Sequence, residues 1–127
     1  MTEAQGTLAE QLDLKPGMRC WFHNMPEHLA ARIDAEAHGV DVQPTASAGL
    51  HCAHLFVTDQ GRLEQELAAV VPLMQAGGFL WVSWPEDDLS GDTVRTTAQA
   101  HELTEAKRCT LDERWSAAKL VRAKEQR

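Results

Sequence analysis

The chain has 127 residues, 43% of them hydrophobic and 24% charged, the balance of one soluble domain that buries a single core without disulfide or metal staples. Its 19 acidic against 12 basic residues give a formal charge of −7, which argues against nucleic acid as a partner. No apolar run reaches the length of a membrane span and the first residues, M-T-E-A-Q-G, lack the blocks of a signal peptide, so the expectation is a cytoplasmic protein with no membrane contact.

Thr7 to Leu12 reads as a short helical turn ahead of Lys15-Pro16-Gly17, a turn signal. Met18 to His23, M-R-C-W-F-H, is too apolar for an edge and too short for a helix, and is the first strand. Pro26 suits the first turn of a helix, Glu27 suits its positive end, and Leu29, Ile33 and Ala37 share one face. The spacing therefore predicts a helix over Pro26 to Ala37, closed by Gly39. Val40 to Val42 is a short strand and Pro44 to Gly49 a loop. Cys52 to Thr58, C-A-H-L-F-V-T, is the third strand. Thr58 or Asp59 then caps a helix carrying Leu63, Leu67, Val70, Val71 and Met74 at helical spacing. Pro72 should kink or break that helix, because it removes a donor and crowds the carbonyl of Ala68.

Gly77-Gly78 stops the helix, and the run F-L-W-V-S-W-P to Pro85 is the central buried strand. An acidic loop, Glu86 to Asp92, leads through an Asp92 cap into a helix from about Thr93 to Glu102. Glu105 to Thr110 and Ser116 to Arg122 are two strands joined by Leu111 to Arg114 as a hairpin. Basic residues concentrate from Lys107 onward, but acids interleave with them and the mixture reads as a solvated face. Residues 1–6 and 123–127 read as frayed ends of this single domain. The alternation predicts an α/β, three-layer open sheet of six strands, mostly parallel, with helices on both faces. Its expected spatial order is 2-1-3-4-6-5, with strand six antiparallel.

Leu14-Lys15-Pro16-Gly17-Met18-Arg19, the Gly77-Gly78 pair and the closing hairpin together resemble a shortened methyltransferase-type Rossmann domain. A second resemblance spans nearly the whole chain. L-x-L-K-P-G-M-R, N-x-P-E at Asn24 to Glu27, H-L-F-V-T at His54 to Thr58, W-V-S-W-P at Trp81 to Pro85 and D-E-x-W-S-x-x-K-L-V-R at Asp112 to Arg122 are similar to a family of short bacterial proteins classed as a domain of unknown function. That resemblance implies a fold and no activity. It also implies a lysine after W-S-W-P, where this chain has Glu86.

The methyltransferase resemblance implies a glycine-rich turn after the first strand and an acid after the second, for S-adenosylmethionine. His23-Asn24-Met25-Pro26 and Val42-Gln43-Pro44 stand there instead, so no cofactor is expected. Ligands of open parallel sheets bind outside the carboxyl ends of the strands, which makes Asn24, Pro26, Thr58, Asp59, Ser83, Trp84 and Pro85 the candidate ligand-binding residues. Asn24 also reads as a helix cap, and Ser83 lacks the setting of an activated nucleophile, so no catalytic residue is assigned. Trp81 and Trp115 read as core, Trp84 equally as core or as an exposed residue of the crevice, and an aromatic before Pro85 favours a cis bond. Cys20, Cys52 and Cys109 read as reduced, buried thiols. His23, His51, Cys52 and His54 invite zinc, but strand alternation separates His51 from Cys52 and His54. Glu86, Asp87, Asp88 and Asp92 lack the spacing of a calcium loop, so no metal is expected.

The leading expectation is a noncatalytic protein-interaction module on a degenerate nucleotide-binding fold, binding a protein partner or a second copy of itself through an exposed Trp84. The alternatives are a small-molecule sensor with a crevice at Asn24, Thr58 and Trp84, and a divergent S-adenosylmethionine-dependent methyltransferase.

Overall fold

The computed structural model describes residues 7–122; the fraying expected at residues 1–6 and 123–127 lies outside the described residues. Six strands form one sheet: β1 Arg19–His23, β2 Asp41–Val42, β3 Leu50–Phe56, β4 Met74–Pro85, β5 Leu103–Thr110 and β6 Trp115–Arg122. Their order is β2-β1-β3-β4-β6-β5, as the alternation predicts. β2, β1, β3 and β4 run parallel, and β6 returns antiparallel between β4 and β5.

Side-chain alternation divides the core into two layers. Ala53, Leu55 and Val57 of the third strand and its exit, with Leu80, Val82 and Trp84 of β4, meet Leu63 and Leu67 of α3 (Gln60–Val70) and Val94 and Ala98 of α4 (Gly91–Ala100). On the other face, Cys52, Phe56, Phe79 and Trp81 meet Leu8 and Ala9 of α1 (Leu8–Gln11) and Leu29 and Ile33 of α2 (Glu27–Ile33). Both faces of the central strands are covered, which is why they read as continuous apolar runs.

Several boundaries differ from the sequence expectation. Helix α2 ends at Ile33, because Asp34 turns left-handed at φ 48° and a 3-10 helix, Ala35–His38, carries the chain to Gly39. The turn at Asp34 buries Ala35 and leaves Ala37 exposed. Helix α3 ends at Val70, and Pro72 lies in the 3-10 helix Val71–Leu73 that follows. The Arg122 guanidinium donates to the carbonyls of Val71 (2.8 Å) and Met74 (3.0 Å), satisfying acceptors that a helix end leaves open.

Gly77-Gly78 does not stop a helix, since β4 already begins at Met74. The pair lies in an irregularity where the β3–β4 register jumps from Leu50 opposite Met74 to Cys52 opposite Phe79. Gly77 is left-handed at φ 80°, and a Cβ on Gly78 would stand 2.9 Å from the carbonyl oxygens of both Gln75 and His51. Ser90, rather than Asp92, caps α4, its hydroxyl accepting from the Thr93 amide at 3.1 Å. Asp59 caps α3, accepting from the Arg62 amide at 2.8 Å. The Trp84–Pro85 bond is trans, and Cys109 is only partly buried whereas Cys20 and Cys52 are wholly so. Among the described residues, no helix is long and apolar enough to cross a membrane.

Candidate functional site

The carboxyl edge of the parallel strands gathers four of the seven predicted ligand-binding residues. Asn24 follows β1 directly, exposed and left-handed at φ 59°, a conformation that asparagine tolerates better than most residues. It does not cap α2. The cap position is taken by Pro26, which offers no side-chain hydrogen bond, while the Asn24 amide lies 3.2 Å from His23 Nε2. Thr58 and Asp59 are exposed after β3, with the Asp59 carboxylate committed to its cap.

Ser83, Trp84 and Pro85 are not on that surface. Successive residues of a strand point to opposite faces, so Ser83 and Trp84 belong to different layers and cannot line one crevice. Trp84 is 0% exposed and packs in the α3–α4 layer, with the Arg108 guanidinium 5.5 Å from its ring centre. Ser83 is also fully buried, and its hydroxyl lies 2.6 Å from His54 Nε2. Pro85 is buried opposite Trp115.

The His54–Ser83 pair has the bonding of a base beside a hydroxyl nucleophile, in the wrong place. His54 stacks on Phe56 at 4.2 Å and lies within 6.3 Å of Trp81. Burial lowers its pKa to about 3, so the ring is neutral at physiological pH. With His54 at 1% exposure and Ser83 at 0%, no substrate reaches either group, and the pair acts as a polar link between β3 and β4. His51 points elsewhere and accepts the Arg19 amide at 2.9 Å through Nδ1. Among the described residues, His, Cys, Asp and Glu nowhere gather in threes as a metal site requires.

The basic residues from Lys107 to Lys119 are paired. Lys119 and Lys107 hold Asp13 at 2.8 and 3.2 Å, Arg108 meets Glu105 at 2.9 Å, and Arg114 meets Asp88 at 3.4 Å. Burial pushes the Asp13 carboxyl up, but the two lysines outweigh it and hold the pKa below its ordinary value. Asp112 organises the β5–β6 turn by accepting the Arg114 and Trp115 amides, both at 2.8 Å, and lies 2.7 Å from His28. These bonds overcome burial and lower its pKa as well. Glu86 is exposed and accepts from the Ser116 hydroxyl at 3.0 Å.

Sequence reasoning missed a groove of about 200 Å3 beside the outer strands. Phe22 and Met25 at the end of β1 and Val42, the last residue of β2, form its apolar wall; Ala30 of α2 lines its floor, and Asp34 and Glu36 supply carboxylates. The small side chains of A-A-R-I-D-A-E-A hint at room there, but the left-handed break at Asp34 that shapes the groove carries no clear sequence signal.

No family model matches the chain, and no curated protein does. Solved structures do. Magnesium protoporphyrin IX methyltransferase from Synechocystis PCC 6803 with bound SAM superposes with a TM-score of 0.60 at 8% identity, over 89% of this chain and 73% of that one. A SAM-dependent methyltransferase from Aquifex aeolicus gives a TM-score of 0.60 at 9% identity, over 90% of this chain and 89% of that one. The Methanococcus jannaschii fibrillarin pre-rRNA processing protein gives 0.60 at 6% identity, over 87% and 68%. What the chain shares with them is the methyltransferase-type Rossmann fold.

Proposed function

We propose that the protein binds a small adenosyl compound of the S-adenosylmethionine class, and so stands nearer to the methyltransferases than to a noncatalytic interaction module. The observation that carries this reading is the groove at the ends of β1 and β2, in a fold whose solved neighbours include one with bound SAM. Phe22, Met25 and Val42 offer an apolar wall to a flat base. The Asp34 and Glu36 carboxylates offer acceptors to hydroxyls or to a cationic group, a role that Gln43 at the end of β2 does not fill, its amide being turned onto the Asp41 carbonyl at 3.3 Å. Left-handed Asn24 supports the same reading, since it keeps the turn after β1 in a conformation that glycine would otherwise supply. At about 200 Å3 the groove is smaller than the ~300 Å3 at which ligand pockets usually begin. It suits one end of such a ligand.

The interaction reading loses its anchor, because Trp84 is wholly buried. A sensor that binds without transferring a methyl group would use the same groove, and it is favoured as the second reading because the one close histidine–hydroxyl pair, His54 and Ser83, is buried in the core away from it. Thermal denaturation with S-adenosylhomocysteine, adenosine and methionine tests the proposal. A ligand at a hundred times its dissociation constant adds about 2.7 kcal/mol, a rise of roughly 10 °C for a domain of this size. The expected result is such a rise with the homocysteine compound, abolished by Met25→Trp, which fills the groove. No rise with any of the three would overturn the proposal and return the protein-partner reading to the front.

A further inference from the structure

Cys20 and Cys52 stand directly opposite each other on adjacent parallel strands, in the register that pairs β1 with β3. Neighbouring strands run about 4.8 Å apart, which places the two Cα atoms inside the ~4.4–6.8 Å window of disulfides. Both side chains lie on the α1–α2 face, and both are 0% exposed. The geometry points to a reversible redox pair: Cys20 and Cys52 close into a disulfide under hydroperoxide and reopen under thiols.

The chemistry balances in two steps. One thiol reacts with hydrogen peroxide to give a sulfenic acid and water; the other then displaces the sulfenic oxygen as a second water, leaving one sulfur–sulfur bond. Two electrons pass from the sulfurs to the peroxide. Parallel pairing keeps the Cβ atoms about as far apart as the strands, just beyond the ~3.5–4.5 Å that an unstrained bond prefers, so the bond should be readily reduced rather than a permanent staple. Burial, followed by the neighbouring Cys20 thiol, pushes the Cys52 thiol well above its ordinary pKa, which makes the closed fold slow to react. Access comes through the cover. Helix α1 is only four residues long, and the Asp13 that follows it is tied to the sheet by Lys107 and Lys119. Cys109, partly buried on β5, lies outside the pair and serves as an internal standard.

The test treats the reduced full chain with hydrogen peroxide, unfolds it, alkylates the remaining thiols and maps the peptides by mass spectrometry. The expected product has Cys20 and Cys52 joined within one molecule, about 2 Da lighter than the reduced pair and restored by dithiothreitol. Asp13→Asn, which loosens the cover, should speed closure severalfold, and Cys109→Ser should leave it unchanged. Cys20→Ala should divert Cys52 to higher oxides that dithiothreitol does not reverse. Three alkylated thiols at all times, or a bond that includes Cys109 or a second molecule, would overturn the assignment.

Discussion

Two tryptophans three residues apart on β4 end in different polar circumstances, although both are fully buried. Trp81 Nε1 donates to the Leu12 carbonyl at 2.9 Å and so ties the sheet to the end of α1. Trp84 Nε1 is the one buried side-chain nitrogen or oxygen without a hydrogen-bond partner among the described residues. A buried donor left unpaired costs about 1–3 kcal/mol, so phenylalanine at the two positions should act unequally. Both changes lose ring volume, but Trp84→Phe also removes the unsatisfied group while Trp81→Phe breaks a bond. Urea denaturation should show Trp81→Phe to be the more destabilising by about 1–2 kcal/mol. Equal losses would mean that Trp84 Nε1 has a bonded water. Burial of Trp81 was legible from the apolar run around it. The partner of its N–H was not, because Leu12 lies 69 residues away and meets it only when α1 docks.

The elements were legible where hydrophobic period and capping agreed, as in α3 with Leu63, Leu67 and the Asp59 cap. They were misjudged where the backbone does something that periodicity does not encode. Gly77-Gly78 reads as helix punctuation, yet it sits inside the start of β4, where the two glycines do different things. A Cβ on Gly77 meets nothing within 4 Å, and its cost is the left-handed backbone, about 1–2 kcal/mol. A Cβ on Gly78 meets three carbonyl oxygens at 3.2 Å or closer, backbone atoms that cannot turn aside. Thermal unfolding should therefore rank Gly78→Ala as more damaging than Gly77→Ala, with a loss above roughly 2 kcal/mol. The reverse ranking would show that the β3–β4 register relaxes around the new methyl group. Helix α2 illustrates the same limit: Leu29, Ile33 and Ala37 suit one continuous helix, but the chain turns at Asp34 and buries Ala35 instead.

For the molecule as a whole, the buried polar groups make acid the destabilising direction. His54 has a pKa of about 3 in the fold against 6.5 ordinarily, so below about pH 6.5 the unfolded chain takes up a proton that the fold refuses. Its contribution is complete above pH 6.5 and declines as pH falls, by up to about 1.4 kcal/mol per pH unit for one proton. Asp13 and Asp112, both lowered, add stability above their unfolded pKa near 3.8 and lose it only on further acidification. The urea midpoint should fall steadily from pH 6.5 to pH 4, a loss of roughly 3 kcal/mol, and the His54→Leu, Ser83→Ala double variant should flatten that slope. An unchanged slope in the double variant would assign the acid sensitivity to other groups.

The sequence by itself determined the strand order, the antiparallel return of β6 and the two-sided covering of the sheet, because apolar period, right-handed crossovers and turn residues are local or nearly local signals. Tertiary structure alone decided which side chains reach the carboxyl edge. Ser83 and Trp84 adjoin in sequence yet part to opposite layers, Asn24 and Thr58 stay at the surface, and the groove between Phe22, Val42 and Asp34 exists only because α2 breaks where it packs against the outer strands. A site is a coincidence of side chains from distant elements, and it is fixed when those elements pack.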